Sequence, residues 1–203
     1  MTPALERHLV LHGVAVKRNG AAGDVTAVTG LPLATAARWL SHLAETGRVV
    51  EANGTYVLTP LARLALDGDY SRFCSELRAD TAFMQAYDIF ERINLRLKEL
   101  ITEWQTLLVG GVRVANDHSD KGHDDRMIDR LGGFHEQAEP VLMALETGDP
   151  RFAFYRAGLS QALDKAEDGA VEWVSDARLA SYHTLWFELH EDLLRVVGRE
   201  RVE

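Results

Sequence analysis

The sequence predicts a mainly α protein: a small head of three helices and one β-hairpin, followed by a larger α-helical bundle. Three observations carry this. Asn53-Gly54 sits between the β-branched and aromatic runs Val49-Val50 and Thr55-Tyr56-Val57, a strong signal for a tight hairpin turn. Most of the remaining chain repeats apolar residues every three or four positions, the spacing of one helix face. Charge also shifts along the chain: residues 1–66 hold six basic and four acidic side chains, whereas residues 67–203 hold 16 and 27.

In the head, Thr2-Pro3 opens a first helix with a capping residue and proline at its first position. Leu5, His8, Leu9, Leu11 and Val14 supply its apolar positions, and Gly20 and Gly23 break it. Asp24 to Val28 forms a short second helix ending at Gly30. Leu33 to Thr46 forms a third, with Ala36, Leu40 and Leu43 on one face and Gly47 as its stop. After the hairpin, Thr59-Pro60 caps a helix carrying Leu61, Leu64 and Leu66, and Asp67-Gly68-Asp69 marks a boundary. The expected domains are 1–68 and 69–203.

The second part reads as helix throughout. One run covers Tyr70 to Leu108, with a break near Asp80, and ends at Gly110-Gly111. A polar loop, Asn116 to Asp125, leads to a helix bearing Met127, Ile128, Leu131, Phe134, Val141, Leu142 and Leu145, with Pro140 as a bend. Asp149-Pro150 starts the next helix. The last carries Leu179, Tyr182, Trp186, Leu189, Leu193 and Val197. Four amphipathic helices in series predict a bundle.

Composition bounds the function. The chain has 203 residues, 46% of them hydrophobic, and a net charge of −9, which argues against a general nucleic-acid coat protein. No apolar run approaches the ~20 residues that span a bilayer, and the first residues do not read as a secretory signal. Cys74 is the single cysteine, which excludes an internal disulfide and a multi-cysteine zinc site. These features predict a cytoplasmic protein without membrane partners.

The order Thr29-Gly30-Leu31, Ala36, Arg38, Leu40, Leu43, Gly47-Arg48-Val49-Val50, Tyr56-Val57-Leu58-Thr59 resembles the winged helix-turn-helix regulators of the MarR type. The resemblance covers the first third of the chain. It implies a third helix that enters the major groove of double-stranded DNA and a hairpin wing that lies over the backbone. Thr35, Arg38 and His42 then face bases or phosphates, and Arg48 and Asn53 contact the backbone from the hairpin. The planar donor fork of arginine suits guanine edges and phosphate. Leu33, Ala34 and Ala37 depart from the pattern, because polar contacts are expected there. Arg38 is the one permanent cation between Gly30 and Gly47, so a dimer is needed to double the phosphate contacts.

The second part is rich in histidine and aromatic residues. Trp104, His135, Tyr182, His183, Trp186 and His190 are candidates for lining a pocket for a small effector. His183 and His190 share a helix face at seven-residue spacing, and with His135 they are also the candidate ligands of a divalent metal. The competing reading is that these aromatics form core and that Asp117, Ser119 or Asp120 caps a helix. No Glu-x-x-His pair, nucleophile elbow, phosphate loop or dinucleotide fingerprint is present, so no catalytic residue is assigned and no cofactor is required. The segment Ser181 to Leu194 resembles small bacterial proteins associated with phosphoenolpyruvate-utilising enzymes.

The expectation is therefore a homodimeric DNA-binding transcriptional regulator whose helical part dimerises and senses a small molecule. The alternative is a partner subunit or small enzyme, linked to phosphoenolpyruvate-utilising enzymes, with a histidine-rich ligand or metal site in its bundle.

Overall fold

The computed structural model describes residues 1–200. The chain divides into two compact units: Met1–Thr81 with the stretch that begins at Glu188, and Ala82–Phe187.

The N-terminal unit begins with α1 (Pro3–Lys17), whose first turn is closed by the Thr2 hydroxyl accepting from the Leu5 amide at 3.3 Å. Next comes α2 (Ala22–Thr29), which stops at Gly30 with φ +69°. Gly13 lets α1 and α2 approach closely, since a β-carbon there would stand 2.9 Å from Val25 Cγ1 and Thr29 Cγ2. Helix α3 (Leu33–Glu45) buries Ala36, Leu40 and Leu43, as its spacing predicts. It ends where Gly47 takes φ +67° and the Arg48 amide donates to the Leu43 carbonyl at 2.7 Å, a glycine C-terminal cap.

Strands β1 (Val49–Ala52) and β2 (Thr55–Leu58) pair antiparallel with Val49 opposite Leu58 and Ala52 opposite Thr55. Asn53 and Gly54 have φ +53° and +79°, the two positive angles a type I′ turn requires. The Tyr56 amide donates to the Gly20 carbonyl at 3.0 Å and ties the hairpin to the α1–α2 link. Thr59 caps α4 (Pro60–Phe73), and α5 (Ser75–Ala79) follows. Asp67-Gly68-Asp69, read from sequence as a break, lies inside α4.

The helical run expected from Tyr70 to Leu108 breaks at Asp80, as the sequence predicts, but its far end is corrected. Helix α6 spans Thr81–Gln105, and the chain then turns into a second hairpin, β3 (Thr106–Val109) and β4 (Val112–Ala115). Gly110 and Gly111 have φ +59° and +83°, so they form a second two-residue turn rather than a helix stop. Helix α7 (Lys121–Gly148) starts within the expected polar loop, capped by Asp120, and continues through Pro140. Asp149 caps the short 3-10 turn Pro150–Phe152, which leads into α8 (Ala153–Glu167) and α9 (Glu172–Ser175). Helix α10 (Tyr182–Val197) gives its first turns to this unit and its later turns, from Glu188, to the N-terminal one. The architecture is mainly α: three helices, a hairpin, and then a larger set of helices.

Candidate nucleic-acid interface

The buried stripe of α3 leaves the opposite side of the helix to solvent. Leu33, Ala34, Ala37, Arg38, Ser41, His42 and Glu45 are all exposed there. The first turn of α3 follows Pro32, carries no acidic residue and has no side-chain cap, so its leading amides present positive partial charge outward.

Thr35 is half-buried at this end. Glu6 of α1 reaches across to α3: its Oε2 accepts from Arg38 Nη2 at 3.3 Å and from Trp39 Nε1 at 3.0 Å. Trp39 also meets His42 edge-on at 5.9 Å between ring centroids. The Arg38 side chain is still 70% exposed, and an exposed ion pair contributes at most about 1 kcal/mol, so a phosphate can compete for it. Asn53 is exposed at the hairpin tip and Arg48 is half-buried at its base.

The six cations of the head are unevenly committed. Arg7 pairs with Asp69, Lys17 with Glu188, Arg18 with Glu191 and Arg38 with Glu6. Arg48 and Arg63 stand outside these pairs. The sequence named Arg38 as the lone cation of α3 but could not reveal that Glu6, 32 residues earlier, holds it.

The ligand candidates of the second part fall into separate places. His135 Nδ1 lies 3.1 Å from the Tyr182 hydroxyl, and Tyr182 stacks on Trp186 at 6.3 Å. Trp186 stacks in turn on Phe90 at 4.7 Å and donates from Nε1 to Asn94 Oδ1 at 3.0 Å. These rings are packed on one another, and burial pushes the Tyr182 phenol well above its ordinary pKa. Burial lowers His135 and His183 below the usual imidazole value.

Trp104 packs elsewhere, with its ring 4.6 Å from that of His118. His190 belongs to the N-terminal unit, whereas His183 on the same helix belongs to the second. Among the described residues no group of three or more His, Cys, Asp or Glu side chains is arranged to hold a metal ion, and no helix is long and apolar enough to cross a membrane.

Two polar clusters escaped the sequence reading. In one, Asp124 is buried and accepts from Asn116 Nδ2 at 3.1 Å and from His118 Nδ1 at 3.0 Å, pinning the loop before α7. In the other, His12 bridges Tyr70 and Asp192 inside the N-terminal unit. No local motif announces either one. The chain matches no protein-family model, and no curated protein or solved structure is similar enough to count as a relative.

Proposed function

We propose that the protein is a DNA-binding regulator that acts as a homodimer, reading the major groove with α3 and the flanking backbone with the β1–β2 wing. The observation that carries this reading is the open outer face of α3, with an uncapped first turn free of carboxylates, beside a tight type I′ hairpin. Thr35 and the leading amides of α3 fix a phosphate. Arg38 and His42 reach base edges or phosphates, and Arg48 and Asn53 hold the backbone from the wing.

Because two arginines per head take part, a dimer neutralises few phosphates. The slope of log affinity against log salt is then about −4. Selection from a random duplex pool, followed by anisotropy titration at several salt concentrations, tests this. Arg38→Ala should weaken the selected complex roughly tenfold and flatten the slope by about 2. A pool that yields no preferred sequence, or an Arg38→Ala slope equal to wild type, overturns the reading.

A second reading rests on Leu33, which is 57% exposed beside Ala34 and Ala37 where base contacts are expected. In that reading α3 docks on a protein, as a partner subunit would. Leu33→Asp then abolishes the interaction while Arg38→Ala spares it.

A further inference from the structure

Two recesses of the N-terminal unit share the Glu191–Arg195 ion pair of α10 as part of their lining. In the larger one, Asp67, Glu191 and Glu200 balance Arg78, Arg195 and Arg199. Arg78 is also committed there, donating to the Val196 and Arg195 carbonyls at 2.6 and 3.3 Å. The smaller recess, of about 300 Å³, has a different balance. Among the described residues its charged lining is Arg18, Arg63 and Arg195 with a single carboxylate, Glu191. Two positive charges are left in excess, in a chain whose net charge is −9. The rest of the lining is apolar and buried: Val14 and Ala15 of α1, and Leu58 at the end of β2.

The cations of this recess have binding capacity left. Arg63, near the start of α4, is exposed and forms no ion pair among the described residues. Arg195 gives Nη2 to Glu191 Oε1 at 2.6 Å, while its Nε is buried with no acceptor among the described residues. A buried donor left unmade is costly, so this side chain gains from a new acceptor. Arg18 stands 3.9 Å from Glu191 and is still 65% exposed.

We infer that this recess binds a small organic dianion, a phosphate monoester or a dicarboxylate on a short carbon skeleton. Guanidinium forks pair bidentately with the oxygens of either group. Two negative charges match the local excess, and Val14, Ala15 and Leu58 receive the carbon skeleton. A volume of about 300 Å³ is at the small end of ligand sites, so the occupant is compact. A phosphodiester of duplex DNA offers one charge per phosphate where a monoester offers about two, which favours the small molecule. The site uses no residue of α3 and does not rest on the DNA reading.

Isothermal titration calorimetry of the full chain, at an ionic strength held near about 0.15 M, tests the site. The probes are glycerol 3-phosphate, succinate and acetate. One of the two organic dianions should bind with a Kd below about 1 mM, and acetate roughly tenfold or more weaker. Arg63→Gln alters an exposed side chain, so the fold is kept, and should raise the dianion Kd roughly tenfold. Arg38→Gln removes a charge of the same head outside the recess and should bind like wild type. A Kd above about 1 mM for both dianions overturns the inference. So does an Arg63→Gln chain that binds like wild type, or an Arg38→Gln chain weakened equally, which would show attraction to charge alone. A random-sequence duplex supplies the last arm. If Arg63→Gln weakens duplex binding while neither dianion binds, these cations belong to the DNA interface and the inference falls alone. A dianion bound by a chain that selects no DNA sequence keeps the recess and removes only the regulator reading.

Discussion

His12 Nε2 lies 3.0 Å from Asp192 Oδ1, and both side chains are sealed from solvent. On its other side His12 Nδ1 meets the Tyr70 hydroxyl at 2.8 Å. Burial raises the Tyr70 phenol far above its ordinary pKa, so the group at Nδ1 is a neutral hydroxyl. Three residues 58 and 122 positions apart thus brace α1, α4 and α10 through one hydrogen bond and one close histidine–carboxylate contact in the interior.

That brace is expected to fail unevenly. Asp192→Ala removes one end and leaves polar atoms buried without it, at about 3–5 kcal/mol. The paired change His12→Phe with Asp192→Leu removes the polar groups together and should cost less than Asp192→Ala alone. Tyr70→Phe should cost about 1 kcal/mol. Urea denaturation midpoints of the four proteins decide this; an Asp192→Ala loss below about 1 kcal/mol would show that the brace contributes little.

Acid should weaken the second unit in two windows. Burial holds His135 and His183 below the usual imidazole pKa, although Glu139, Asp164, Glu167 and Glu136 pull His135 upward. The unfolded chain therefore takes up protons that the folded chain refuses. Stability present above pH ~6.5 is lost as pH falls towards the folded-state values. Asp176 adds a second window. Arg178 holds its carboxyl at about 2 against 3.8 for the free group, so its contribution is kept above pH 3.8 and lost on the way to about 2. Denaturation midpoints from pH 8 to pH 5 should decline, and His183→Gln should shallow the decline. A midpoint rising with acid would contradict the burial argument.

How much of this was legible can be judged from the two hairpins. Asn53-Gly54 announced the first because both turn residues need positive φ. Gly110-Gly111 carries the same information between Thr106-Leu107-Leu108-Val109 and Val112-Arg113-Val114, but the helical stripe running up to Trp104 masks it. Leu107 and Leu108 continue that stripe by spacing alone. The α3 face was legible because one period decides which residues are buried. The Glu6–Arg38 contact was not, because it depends on how α1 packs beside α3. The aromatics around Trp186 gave two honest readings, core or pocket, since residue type does not say whether rings touch one another or a ligand.

Gly13 is a close-approach point that sequence reading would pass over as a weak spot in a helix. A β-carbon there would stand 2.9 Å from two side chains of α2 and 3.3 Å from the Val25 carbonyl oxygen. Gly13→Ala gains helix propensity, worth up to about 1 kcal/mol. The steric strain of separating two packed helices, about 1–3 kcal/mol, should exceed it. Thermal unfolding is expected to show a net loss; a raised melting temperature would mean that α2 shifts without penalty.

Trp186 and Asn94 supply a contrast between shape and satisfaction. The indole stacks on Phe90 with 18° between planes and meets Phe134 edge-on at 5.2 Å, so Trp186→Phe keeps an aromatic in the layer. What it removes is the Nε1 donor to Asn94 Oδ1, and Asn94 is itself buried. The orphaned amide oxygen should cost about 1–3 kcal/mol in addition to the lost ring volume. Adding Asn94→Leu to Trp186→Phe takes away the unsatisfied group and should recover part of that loss, although neither change alone stabilises. A double-mutant cycle by urea denaturation measures the coupling. If the two losses simply add, the hydrogen bond is replaced by solvent entering the layer, and the aromatic core around Trp186 is looser than its stacking distances imply.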